Sequence, residues 1–240
     1  MLHPHLPIRS MAVGGGFALF YGSGDPFNGV KGVGLNGPVE SVEWDKVESF
    51  HRERASPVVI DLCPLADAGF VSLLGERGYR IGSFETVNFL FLQDAAIDHT
   101  SSSSFEVVLA SDHAEWSRVM SAGFTDGGEP VRFSVDGGRV RAVLADSVLL
   151  AATVDGVPVG GATMSIVGRV ALLSGAAVLP AYRRRGIQRA LTAARLRIAR
   201  VRECELVKMD VRAGTDSHRN AVRAGFRVAY TRPQMVRTWA

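Results

Sequence analysis

At 240 residues the chain has room for one large domain or two small ones. Hydrophobic residues make up 47% and charged residues 21%, the balance of a globular protein with a buried core. A formal charge of +3 does not by itself mark a nucleic-acid partner, no run of about 18 apolar residues offers a membrane span, and the two cysteines, Cys63 and Cys204, form neither a disulfide framework nor a metal spacing.

In chain order, His3 and His5 read as a solvated tail. The apolar stretch Met11 to Tyr21 is broken by three glycines and lacks the basic flank and cleavage site of a leader, so a cytoplasmic location with reduced thiols is expected. Gly32-Val33-Gly34-Leu35-Asn36-Gly37 matches the dinucleotide pattern, with Asp61 near the expected acidic position. Pro38 follows the third glycine, where a helix should already be under way, and the reading fails on that context. Pro57 to Leu62 then reads as a buried strand, Ala66 to Arg77 as a helix, and Gly78-Tyr79 as the turn into a strand from Arg80 to Leu92. The polar segment 98–104, DHTSSSS, reads as a linker, dividing the chain into a first domain at 1–97 and a second at 105–240.

After the linker, Phe105 to Ala110 is a strand and Asp112 caps a helix that runs to about Phe124. Gly127, Gly128 and Pro130 mark a loop, and 138–146 a weaker helix or irregular segment. Val148 to Val154 and Val157 to Val167 are strands joined by Asp155-Gly156, a strong hairpin signal. Gly168-Arg169 turns into a third strand, Val170 to Val178, which must end or splay at Pro180 because proline cannot donate to a ladder. Ile187, Ala190, Leu191, Ala194, Ile198 and Val201 recur at helical spacing, and Arg195, Arg197, Arg200 and Arg202 read as solvated faces. Glu205 to Val211 is a strand, followed by a helix and the turn Gly225-Phe226. Meander, crossover helix, strand, helix and strand make an α/β (α+β) fold, a mixed sheet with helices on its faces.

The turn before the long helix is the most informative segment. It reads Arg183-Arg184-Arg185-Gly186-Ile187-Gln188, between an apolar strand and an amphipathic helix. The first helical turn leaves backbone N–H groups unpaired and carries partial positive charge, and glycine lets a phosphate approach the backbone. An anion site follows from these features. Nucleic acid is set aside because no aromatic interleaves the arginines after Tyr182.

With its strand and helix, this turn resembles the signature (Arg/Gln)-x-x-Gly-x-(Gly/Ala) of the GNAT superfamily of acyl-CoA-dependent N-acyltransferases, except that Gln188 stands at the last position. The segment SHRNAVRAGFRVAY, with Ala224-Gly225-Phe226-Arg227, resembles the family's final helix and the turn after it. The resemblance covers about 105–240. It implies a largely antiparallel central sheet flanked by helices and splayed at the fourth strand. Gly78-Tyr79-Arg80 lines up with Gly225-Phe226-Arg227, so the first half reads either as a smaller, partial GNAT-like unit in a tandem protein or as an ordinary strand–helix–strand unit.

The resemblance also implies acetyl-CoA as acyl donor, an amine of a small molecule or protein as acceptor, and no metal. Ala176, Ala177 and Val178 would pair with the pantetheine arm, Arg183, Arg184, Arg185, Gly186, Ile187, Gln188 and Arg189 would cradle the pyrophosphate, and Asn220 would touch pantetheine. The acceptor would lie by Phe124 to Pro130 and Tyr230 to Met235. The partners expected are these two substrates and, at most, a second copy of the chain; no nucleic acid or membrane is among them. The family's usual proton donor, a tyrosine in the last helix, is replaced by Ala221, and the usual glutamate base is missing from Val170 to Val178. Tyr182, Ser174, Tyr230, Glu85 and Asp126 remain as substitutes. The alternative is a non-catalytic acyl-CoA-binding protein.

Overall fold

Alternation shapes the first strands: Ala18 and Phe20 of β2 (Gly16–Phe20) are buried while Phe17 is exposed, and β2 pairs antiparallel with β1 (Arg9–Val13) and β3 (Gly29–Lys31). The structure, a computed structural model, describes residues 8–23, 25, 27–97, 104–126 and 147–239. It divides into one unit of residues 1–86 with 230–240 and another of residues 87–229.

In the first unit, helix α1 (Ser41–Arg52) crosses from β3 to the parallel strand β4 (Val58–Asp61). Helix α2 (Ala68–Glu76) follows, capped by Asp67, whose side chain accepts from the Phe70 N–H. The core is Trp44, Val47, Phe70 and Leu74, with the Trp44 and Phe70 rings edge to face at 5.0 Å. Two carboxylates are buried with it. Glu48 takes hydrogen bonds from Arg237 at 2.6 Å, Arg77 at 3.3 Å and the Tyr79 hydroxyl at 3.2 Å. Asp61 takes them from Lys31, from Arg232 at 2.9 Å and from Gln234 at 3.0 Å. Burial pushes the Asp61 carboxyl up, but the two cations and the hydrogen bonds outweigh it and hold the group below its ordinary value. The residue that stood near a dinucleotide acid position is thus spent on an internal ion network.

The second unit opens with β6 (Glu106–Leu109) and α3 (His113–Phe124), where Asp112 caps as expected by accepting from Ala114 and Glu115. Strands β7 (Ser147–Val154), β8 (Val157–Val167) and β9 (Val170–Val178) form an antiparallel meander with β6 on its edge. Helix α4 (Ile187–Val201) crosses to β10 (Leu206–Arg212), parallel to β9, and α5 (Asp216–Arg223) follows. The long strands β5 (Arg80–Phe91) and β11 (Arg227–Arg237) each leave one unit and end in the other, β11 pairing there with β4. Both units repeat one order: three antiparallel strands, a crossover helix, a parallel strand, a short helix and a Gly–aromatic turn. The mixed, largely antiparallel sheets flanked by helices match the expected fold class. Residues 98–103, Gly127, Gly128, Pro130 and 138–146 lie outside the described residues.

The Gly–aromatic turns alone carry little information about duplication, because four helices end in the same way. In each, an N–H bonds back to the helical carbonyl five residues before it, with a shorter bond nested inside: Ser56 to His51, Tyr79 to Leu74, Cys204 to Ala199 and Phe226 to Ala221. The residue before each has positive φ; it is glycine at 78 and 225 but Ala55 (φ 48°) and Glu203 (φ 55°) elsewhere. An L side chain pays there for its Cβ, so Ala55→Gly is expected to stabilise the protein by about 0.5–1 kcal/mol. Urea unfolding checks this, and a variant less stable than the parent counts against it.

Candidate functional site

The site begins where β9 stops pairing with β10. The ladder joins Val170–Leu173 to Leu206–Met209 and ends there. On its other edge β9 stays paired with β8, but Ala176 faces Ala162 while Ser174 faces Thr163, so Gly175 is an inserted residue with φ +55°. This bulge turns β9 away from β10. The strand ends just before Pro180, as expected, and a single turn of 3-10 helix begins there, but the splay comes five positions earlier, at Gly175. A Cβ on Gly175 would meet Thr163 Cγ2 at 3.3 Å as well as strain the backbone, which explains glycine there.

Between the parted strands lies a cleft of about 290 Å³. Gly175 and Ala176 of β9, Met209 to Arg212 of β10, Gln188, Thr192 and Arg195 of α4, and Asn220 and Ala221 of α5 line it. From Ser174 onward the β10-facing edge of β9 has no strand partner among the described residues, so its amides can pair with an extended ligand. At the mouth, Gly186 is the residue before α4, with φ +84° and open space where a Cβ would stand. No side chain caps this helix, and the first turn of a helix is where backbone N–H groups have no intrahelical acceptor.

The structure brings together some of the expected binding residues and separates others. Ala176, Gln188 and Asn220 line the cleft, and Arg184, Arg185, Gly186 and Arg189 are exposed around the helix start. Arg184 sits at φ +61°, and the Arg185 guanidinium stacks over Tyr182 at 5.1 Å. Ala177, Val178 and Ile187 have buried side chains. Arg183 is held by protein partners: it donates to the carbonyls of Val178 (3.1 Å) and Gly123 (2.9 Å) and pairs with Asp126 at 2.8 Å. It clamps the turn to the end of α3.

None of the substitute catalytic groups is among the residues lining the cleft. Ser174 is half-buried beside the bulge, its hydroxyl 3.4 Å from that of Thr163. Tyr182 packs against an apolar cluster with Ile187 and Leu191. Glu85 and Tyr230 belong to the other unit, where Glu85 accepts from Arg232 at 2.9 Å. Of the expected acceptor rims, Phe124 lines the cleft, 127–130 lie outside the described residues, and 230–235 belong to the other unit.

Two cleft residues escaped the sequence reading. Arg195, expected on a solvated face, is 3% exposed. Its guanidinium donates to the carbonyls of Leu191 and Thr163, both at 3.2 Å, and to the Thr192 hydroxyl at 3.4 Å. Burial alone pushes its pKa down to about 10. A signal did exist, since Arg195 falls between Leu191 and Ile198 on the face that packs inward. Asp210, the one carboxylate lining the cleft among the described residues, pairs with Lys208 at 2.7 Å. Both side chains point from the same face of β10, as residues two apart must. No group of three or more metal-ligating side chains occurs among the described residues, and no described helix is long and apolar enough to cross a membrane.

Residues 116–226 match the model of the acetyltransferase (GNAT) family. A GCN5-related N-acetyltransferase from Kribbella flavida is similar in fold, with TM-score 0.70 at 19% identity over 97% of this chain and 90% of that one. A tandem GNAT protein from the clavulanic acid biosynthesis pathway gives 0.67 at 16% identity, covering 93% and 78%. A GCN5-related N-acetyltransferase from Sphaerobacter thermophilus gives 0.62 at 16% identity, covering 82% and 66%. None of the curated proteins searched matches the chain in sequence.

Proposed function

On the premise that residues 116–226 belong to the acetyltransferase (GNAT) family, we propose that this protein is an N-acyltransferase that moves an acetyl group from acetyl-CoA to an amine. One observation carries the reading: an uncapped helix start at Gly186 opens onto a cleft whose strand edge is free from Ser174 onward. The pyrophosphate would accept from the first N–H groups of α4, with Arg184, Arg185 and Arg189 around it. The pantetheine amides would then pair with the loose edge of β9 toward the bulge. Held there, the thioester meets the amine at high effective concentration, which lowers much of the barrier. The acceptor of this chain is an amine of a small molecule or of a protein.

The amine must lose a proton to attack, and we assign that role to Asp210. It occupies the cleft in place of the carboxylate that β9 lacks. The thiolate, a good leaving group, then departs without a side-chain donor, since Ala221 offers none, and takes its proton from water. Asp210→Asn is expected to lower kcat on the order of 100-fold and leave acyl-CoA affinity nearly unchanged, with activity recovering as pH rises and the amine deprotonates in solution. Thiol release across pH reads this, and an unchanged profile would remove Asp210 from the mechanism.

A second reading, a non-catalytic acyl-CoA-binding protein, draws support from the same two vacancies, Ala221 and the carboxylate-free β9. Thiol release against a panel of amines separates the two. Binding of acetyl-CoA with no acceptor-dependent release would leave the binding protein.

A further inference from the structure

The buried guanidinium of Arg195 has no anionic partner, and it lines the cleft. Its three hydrogen bonds go to two carbonyls and a hydroxyl, and no ion pair includes it among the described residues. Asp210, the carboxylate nearest in kind, is paired with Lys208. A full charge removed from water and left uncompensated is strongly unfavourable, and its burden is relieved when a ligand brings the opposite charge. The fork of Arg195 has five N–H groups and spends three of its nitrogens on single, long bonds of 3.2–3.4 Å, so donors remain for a planar acceptor.

Its position identifies which part of a ligand it would meet. Gln188, Thr192 and Arg195 share one face of α4, and seven residues at 1.5 Å each place Arg195 about 10 Å along the axis from Gln188, away from the phosphate end. There it donates to Thr163, which pairs with Ser174 beside the inserted Gly175. This is where β9 and β10 part, and where a thioester would arrive.

We propose that Arg195 recognises a substrate carboxylate at the thioester end of the cleft. The inference rests on the CoA reading above. The carboxylate can reach Arg195 from two sources: the far end of a dicarboxylic acyl group on CoA, or an acceptor that is itself an amino acid. A dicarboxylic donor would extend the acetyl assignment to longer, acidic acyl chains, and an amino acid acceptor would leave it as it stands.

Calorimetry on the full chain tests it. In the first arm, succinyl-CoA is compared with butyryl-CoA, of similar length but without the charge. In the second, the chain saturated with CoA is titrated with amino acids and with their amides. A preference of at least tenfold for the carboxylate in either arm, lost in Arg195→Met, is the expected result. The wild-type comparison needs no variant, and Arg195→Met replaces an uncompensated ion with an apolar chain of similar length, so its thermal unfolding serves as the folding control. Equal binding of charged and neutral ligands in both arms, or a preference that survives Arg195→Met, overturns the inference and leaves the CoA site standing. If no CoA thioester binds at all, both readings fall together.

Discussion

A Gly186→Glu variant is expected to lose affinity for CoA by at least about 100-fold in calorimetry while remaining folded. Two effects separate cleanly at this position. Electrostatically, a carboxylate at the start of α4 takes the place of the anion the helix N-terminus would bind, and like charges brought together there cost several kcal/mol. At about 1.4 kcal/mol per tenfold, that exceeds a factor of 100. Structurally, the space around Gly186 is open, so no clash arises; the cost is a side chain at φ +84°, on the order of 1–2 kcal/mol. Gly186→Asn carries a similar backbone strain without charge, and asparagine tolerates that region best, so it should keep affinity within about tenfold of the parent. Equal losses in the two variants would mean that backbone shape and not charge governs the site. Unchanged affinity in Gly186→Glu would remove the pyrophosphate from this turn.

The second large effect lies in the first unit. His51 is fully buried in α1, edge to face with Phe50 at 5.2 Å, and among the described residues neither ring nitrogen has a hydrogen-bond partner. Burial, helped by the nearby Arg54 charge, lowers its pKa from 6.5 to about 4. The folded protein thus keeps the ring neutral while the unfolded chain takes up a proton below pH 6.5. Stability from this group is complete above pH 6.5 and is lost as pH falls toward 4, amounting to about 3 kcal/mol at about 1.4 kcal/mol per pKa unit. His51→Leu removes the proton linkage along with two unsatisfied polar atoms, so it should be at least as stable as the parent at pH 5. Urea unfolding from pH 7.5 to 4 measures this, with the carboxylates common to both proteins. Parallel curves for parent and variant would show that His51 has no part in the acid sensitivity.

The arginine turn and its glycine before the helix were legible because their signals are local. A glycine before a helix, arginines around it and an apolar strand ahead of it all lie within one short segment, and backbone chemistry dictates what they do. The Asp155-Gly156 hairpin and the Asp112 cap belong to the same class, and φ values of 51° and 78° at the hairpin show the turn the residues demand. Gly175 carried the information for the splay as well, but glycine inside an apolar run has several uses, and Pro180 was the louder signal. The bulge depends on which residues of β8 stand opposite, and that register spans a turn and two strands.

Arg195 and Arg183 exchange the roles their composition suggests. Arginine is solvated by default, so Arg195 reads as surface until the packing of α4 against β8 brings the Thr163 carbonyl to it. Arg183 sits in an anion motif, yet three acceptors, from the strand end and from around the end of α3, claim it first. The boundary between units has the same origin. A polar linker at 98–104 is visible in composition, whereas the compact units close on β5 and β11, whose ends cross from one unit to the other.

By itself, then, the sequence determined that a glycine flanked by arginines precedes the long helix, the order of strands and helices, and that neither Ala221 nor the strand from Val170 to Val178 offers a titratable acid or base. Each of these is written in neighbouring residues through backbone geometry and helical or strand periodicity. Only the tertiary structure decided that β9 parts from β10 at Gly175, that Asp210 and a buried, uncompensated Arg195 face the opening, and that His51 lies in a core without a partner. Those outcomes depend on residues distant in the chain meeting in space, where burial rather than residue type sets the energy of a charge.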